Sequence, residues 1–213
     1  ERPLEVTIRV PPGCTVTYTL DGSEPTEQSE PYEGPVEIAQ TTVLRARAFQ
    51  DGFLPSEIAT QTYFVSVYHT LPIVALTTDP ENLWNDETGM LADGEGWSRD
   101  EIDPEWFSKD FVTYGKKLRY NGYVEMYDEA GNPCLSQGMS FRLMGQYSLD
   151  MPQKSFLVNA QAQFGSELFH YPLFSDRPYA AYDAFVLRNG GQDGKYPRVL
   201  DGLQARLAEE TGT

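Results

Sequence analysis

Apolar and polar residues alternate in short stretches through the first third of the chain, and each stretch ends in a turn signal. Leu4 to Val10 alternates until Pro11-Pro12-Gly13 breaks it. Thr15 to Leu20 alternates again, with Val16, Tyr18 and Leu20 on one face, and Asp21-Gly22 follows as a turn whose glycine tolerates positive φ. Pro35 to Ala39 predicts a short strand. Thr42 to Phe49 sets Leu44, Ala46 and Ala48 against Val43, Arg45, Arg47 and Phe49, and Asp51-Gly52 turns the chain toward a last strand from Ile58 to Phe64. Short strands at this spacing predict an Ig/Fn3-like β-sandwich over residues 1–66.

A link follows at Val65 to Leu71, placing the boundary at 67–71. The apolar run from Pro72 to Thr78 predicts a buried strand. Residues 79–115 show no sustained period, and a connection of that length is either a functional flap or conceals short helices near Asn82-Leu83-Trp84 and Pro104 to Phe107. Strand patterns resume at Leu118 to Tyr127, turn at Glu129 to Pro133 and return through Gly138 to Met144 as a half-buried hairpin. Ser155 to Ala160 and Ala184 to Arg188 read as further strands. Val199, Leu200, Leu203 and Leu207 recur at helical spacing between Pro197 and Glu210. The fold class is therefore mostly β, a sandwich followed by part of an α+β unit.

Composition narrows the partners. The chain of 213 residues carries 32 acids against 16 bases, a formal charge of −16, which disfavours nucleic acid and anionic membrane surfaces. No stretch approaches the ~20 apolar residues of a membrane span. The chain begins at Glu1 rather than Met, as a mature or trimmed form does. Cys14 and Cys134 fall in separate units, so a disulfide between them is not expected, and no metal-type Cys spacing occurs.

Two resemblances sharpen this reading. Tyr18-Thr19-Leu20-Asp21-Gly22-Ser23-Glu24-Pro25-Thr26, Tyr32-Glu33-Gly34-Pro35 and Thr41 to Phe49 resemble the Ig-like domain at the C-terminus of chitobiase and β-hexosaminidase proteins. That resemblance implies fold more than chemistry, since Asp21, Gly22 and Pro25 are explained as turn residues. A row of exposed aromatics on one sandwich face would mark a glycan-binding module, and a polar face would count against one.

From Leu71 onward the chain resembles the CotH (spore coat protein H) kinase family. The matching stretches are Leu71 to Val74, Leu76 to Trp84, Asp86 to Gly89, Val124 to Asp128, Ser136 to Leu143, Pro152 to Phe156, Tyr171 to Phe174 and Phe185 to Gly191. The resemblance implies an atypical kinase-like fold over 72–213, with ATP and Mg²⁺ or Mn²⁺ serving protein phosphorylation in the parent protein. It further implies an extracellular or cell-surface location, with a protein substrate or cell-surface component as partner. Some relatives are better known as surface adhesins.

Lys154 is the leading site residue. It stands at the mouth of a strand after a Gly- and Ser-containing turn, Gly145 to Met151, where a kinase needs a cation beside the α/β-phosphates; a solvated strand-end lysine is the plain alternative. Ser148 lies in that turn. Family members often carry an Arg there, and this chain has Leu149-Asp150 instead. Arg142 and Arg188 lie in matched strands and pair either with phosphate or with one of the many carboxylates. Asn189, before Gly190-Gly191, is either a functional loop residue or part of a tight turn. The resemblance places the catalytic Asp and the metal-holding side chains downstream of Thr213, so no catalytic or metal residue is assigned in this chain, and as a fragment it is expected to be inactive as a kinase. The alternative is a non-catalytic cell-surface, adhesion or glycan-binding protein with a degenerate kinase-like domain. His69 and His170 are the only histidines, and neither sits in a nucleophile or zinc motif. The Asp79 to Asp86 turn lacks EF-hand order.

Overall fold

The structure, a computed structural model, describes residues 3–92, 118–145, 151–174, 176–190, 203, 206–208 and 210. The helix expected at Pro104 to Phe107 and most of the Gly145–Met151 turn, Ser148 included, lie outside the described residues. It is mostly β, with antiparallel sheets.

The first unit is a sandwich. Strands β1 (Leu4–Val6) and β4 (Val36–Ile38) form a two-stranded sheet. Strands β2 (Thr15–Thr19), β3 (Glu30–Pro31), β5 (Thr42–Phe49) and β6 (Ala59–Tyr63) form a second sheet in the order β3-β2-β5-β6. Their facing side chains, Val6, Val36 and Ile38 on one side and Val16, Leu44 and Ala46 on the other, make the core. Full burial of each larger aliphatic contributes roughly 1.5–3 kcal/mol. The expected strand at Leu4 to Val10 stops at Val6, and Leu20 is exposed beyond the end of β2. Gly22 has φ of +91°, and a Cβ there would stand 3.1 Å from the Thr78 carbonyl oxygen, so the turn needs glycine for both backbone and space.

The second unit is a five-stranded antiparallel sheet. Strands β7 (Ile73–Thr77), β8 (Tyr120–Tyr127), β9 (Pro133–Met144), β10 (Ser155–Asn159) and β11 (Ala184–Leu187) lie in the order β11-β10-β9-β8-β7. The register sets Val74, Leu76, Val124, Met126, Met139, Phe141, Leu143, Phe156, Val158, Phe185 and Leu187 on one face. Val124, Met126, Met139, Phe141, Leu143 and Val158 of that face are fully buried, together with Met90 and Phe169. A single-turn helix, α1 (Glu81–Trp84), follows β7. Strand β9 begins five residues before the expected Gly138 and extends the hairpin with β8 as far as Pro133. The Pro72–Thr78 run is an edge strand in which only Thr77 and Thr78 are buried, rather than the fully buried strand its apolar run predicts. Residues 203, 206–208 and 210 are helical, inside the span expected to form a helix.

The units touch through a polar contact. Glu125 on β8 is 2 % exposed; its carboxylate accepts hydrogen bonds from the Thr62 amide at 3.0 Å, the Thr62 hydroxyl, and the Tyr127 hydroxyl at 2.7 Å. Gln61 donates to the Tyr127 oxygen at 2.7 Å, and Phe64 packs edge-on against the Tyr127 ring at 5.1 Å. Burial, the hydrogen bond to Glu125 and that carboxylate's charge all push the Tyr127 hydroxyl well above its usual pKa. On the same side of the sandwich, Arg45 is 5 % exposed and donates to the Gly22 carbonyl at 2.8 Å. Burial draws its guanidinium pKa down, and the charges of Glu24 and Asp79 oppose that shift.

Candidate functional site

Alternation along β10 brings Phe156 onto the apolar face, and Lys154, two residues earlier, emerges on the same side at the strand mouth. The end of β11 adds Leu187 and Arg188. From the opposite edge of the sheet come Val74 and Leu76 of β7, and α1 with the turn after it contributes Trp84 and Leu91. These side chains, with Pro152 and Gln153, line a groove of about 420 Å³ that is mainly apolar and includes the two cations Lys154 and Arg188. Trp84 is 63 % exposed, an unusual cost for a large ring unless something packs on it. An apolar slot with an aromatic wall and two cations suits a flat, hydrophobic group bearing anionic substituents.

The expected site residues divide accordingly. Lys154 and Arg188, 34 residues apart in the chain, meet in the groove. Arg142 sits between Phe141 and Leu143, both of the apolar face, so it leaves from the opposite face, where its guanidinium reaches the Leu143 carbonyl at 3.4 Å. Asn189 is 4 % exposed and does not line the groove; its amide side chain donates to the Gln153 carbonyl at 2.7 Å. Ser148 lies outside the described residues. Trp84 and Phe156 were not singled out from the sequence as site residues. Their signal is present there only as an aromatic in a short helix and an aromatic two positions after a strand-mouth lysine.

Among the described residues no three His, Cys, Asp or Glu side chains gather as a metal site. Both cysteines are free. His170 is exposed with its Nε2 3.3 Å from the Ser166 hydroxyl, and His69 caps the linker through the Leu71 carbonyl at 3.0 Å. A second groove of about 650 Å³ lies at the far end of the sandwich, between Thr15, Thr17, Glu27, Phe49, Asp51 and Phe53. Phe53 is 70 % exposed there, but only Phe49 accompanies it, so the described sandwich residues present a mainly polar groove and no aromatic row.

Residues 1–62 match the family model of the chitobiase/beta-hexosaminidase C-terminal domain. The first unit is a domain of that kind. No curated protein and no solved structure matches the chain. The sandwich therefore has a family, and the groove is characterised by its own residues. Among the described residues no helix is long and apolar enough to cross a membrane.

Proposed function

We propose that the chain is part of an extracellular, CotH-like atypical protein kinase, with the Ig-like module at 1–66, a link at 67–71 and the kinase-like unit from residue 72 onward, and that the groove takes a nucleoside triphosphate. The observation that carries the reading is the meeting of Lys154 and Arg188 in a mainly apolar groove that Trp84 and Phe156 also line. The ring and aliphatic surfaces suit a purine, and the two cations suit its phosphates. A nucleotide with a bound divalent ion supplies the transferable phosphoryl group and the charge neutralisation that phosphoryl transfer requires. Lys154 and Arg188 contribute binding and orientation. The proton acceptor and the metal-holding side chains are not assigned to any described residue.

The test is an ATP titration of the purified chain with Mg²⁺ and with Mn²⁺, beside Lys154→Ala and Arg188→Ala. Each single substitution should raise Kd roughly five- to tenfold, the worth of one charge-assisted contact. Binding unchanged by both removes the reading.

A second reading is a non-catalytic cell-surface or adhesion protein that binds glycan. It is favoured by Leu149-Asp150 standing where the resembled family often carries an Arg, and by the exposed Phe53 over the polar sandwich groove. Its test is an oligosaccharide titration of the same chain, in which Phe53→Ala should abolish any binding seen.

A further inference from the structure

The β10–β11 ladder runs from Asn159↔Ala184 to Phe156↔Leu187 and stops there. Continued in the same register, Ser155 would face Arg188, and Lys154 would face Asn189. Past the last pair β11 no longer holds β10, which keeps only its Ser155↔Met144 pairing with β9, and strand ends held on one side fray unless side chains take over the hydrogen bonding. Asn189 supplies that substitute. Its side-chain amide donates to the Gln153 carbonyl at 2.7 Å, and its backbone amide donates to the Ser155 hydroxyl at 3.0 Å. The two tied residues are the immediate neighbours of Lys154, one on each side.

Two further features accompany this arrangement. Asn189 is 4 % exposed and Ser155 6 %, so the bond between them is shielded from competing water. Gly190, directly after Asn189, has φ of +83°, a left-handed backbone conformation that glycine adopts freely.

We infer that Asn189 is a positioning residue for Lys154: by clamping Gln153 and Ser155 it fixes the backbone from which the lysine reaches the groove. The inference rests on the proposed nucleotide reading for what Lys154 then contacts, but not for the clamp itself. A ligand with phosphate groups gains from a cation held in place, since less side-chain and backbone freedom is lost on binding. Asn189 acts on such a ligand only through the lysine.

The experiment separates the two levels. The lysine side chains (Lys109, Lys116, Lys117, Lys154 and Lys195) are labelled by reductive ¹³C-methylation and followed by NMR, with Lys154→Arg assigning the signal. Asn189→Ala, and independently the milder Ser155→Ala, should move the Lys154 signal toward the position of a free lysine and leave the other four unchanged. A Lys154 signal that keeps its shift in both variants overturns the clamp. In ATP titrations Asn189→Ala should raise Kd roughly fivefold. The Asn189→Ala/Lys154→Ala pair should bind no more weakly than Lys154→Ala alone, because two substitutions acting through one contact do not add. Additive losses overturn the positioning role. If the unaltered chain binds no nucleotide, the nucleotide reading falls, and the lysine spectrum alone decides the clamp.

Discussion

Replacing Glu125 by Ala tests whether the sandwich and the five-stranded sheet stand as one cooperative structure. The carboxylate takes three donors, and they differ in what they lose. The Tyr127 hydroxyl keeps a second acceptor, the Thr62 carbonyl at 3.2 Å, and still receives Gln61. The Thr62 hydroxyl is free to rotate toward water that enters. The Thr62 amide points away from β5, toward Glu125, and is left without a partner, which costs about 1–3 kcal/mol. Removing the one side-chain methylene that alanine lacks adds about 0.8 kcal/mol. The desolvation of the buried carboxylate and the three hydrogen bonds that offset it are removed together and roughly cancel. The balance is a loss of about 3 kcal/mol, or roughly 6–12 °C in Tm for a chain of this size. Glu125→Gln keeps the volume and an acceptor oxygen for the Thr62 amide and the Tyr127 hydroxyl, and turns its NH₂ only toward the Thr62 hydroxyl, which can rotate to accept, for a loss of about 1 kcal/mol.

The assay exploits an uneven distribution of chromophores. No tryptophan lies in the sandwich sequence and Trp84 belongs to α1, so tryptophan fluorescence carries no sandwich signal, whereas far-UV circular dichroism reports both units. In urea the two transitions should coincide for the unaltered chain, and should separate in Glu125→Ala as the sandwich uncouples from the sheet. Coincident transitions with a stability change under about 0.5 kcal/mol in Glu125→Ala would refute the coupling.

The same contact predicts an alkaline limit. Tyr127 has a folded pKa raised above its unfolded value near 10, so its contribution to stability is fully present below about pH 10 and is lost as the pH climbs through the folded value; urea midpoints between pH 8 and 11 should fall at the top of that range, and less so in Tyr127→Phe. Gly122→Ala should destabilise by about 1–3 kcal/mol or prevent folding, since the new Cβ would stand 2.5 Å from the Thr77 carbonyl oxygen; a thermal midpoint within two degrees of the unaltered chain counts against it. At the acid end, Asp21 has a pKa held below the carboxylate norm by the Ser23 hydroxyl and amide. Its contribution is present above its unfolded pKa and is lost as the pH falls through the lower folded value, so Asp21→Ala should flatten the acid limb of the stability curve.

The sandwich strands were legible because one face of each meets a core and the other meets mostly solvent, which writes a two-residue period into the sequence. β5 was read at its true bounds for this reason: Leu44, Ala46 and Ala48 face the sandwich core, and Arg45 and Arg47 leave from the other face, where Arg45 is nonetheless buried. The same logic misplaced β7. Its apolar run reads as a strand buried within a sheet, yet it lies at an edge, because Val74 and Leu76 line the groove while Ile73, Ala75 and Thr77 leave from the other face. The start of β9 was hidden by Cys134-Leu135-Ser136-Gln137, which carries no β-branched residue and takes its strand character from pairing with β8. Glu125 was invisible as a buried group. In Val-Glu-Met-Tyr it reads as the solvent-facing position, and its partner Thr62 lies 63 residues earlier in the chain.

The site follows the same division. Lys154 and Arg188 could be named from the sequence as strand-end cations, but their meeting depends on β10 and β11 being neighbours. Arg142 illustrates the opposite outcome: the alternation that buries Phe141 and Leu143 sends it to the far face. Strand β8 shows how one segment serves both faces at once. Val124 and Met126 lie in the core on the groove's side of the sheet, and Glu125 and Tyr127 carry the sandwich on the other side. The accessory module therefore braces the sheet from behind and leaves the groove face clear. A substitution in the sandwich contact should lower stability without touching Lys154, whereas one at Asn189 should alter Lys154 without separating the two units.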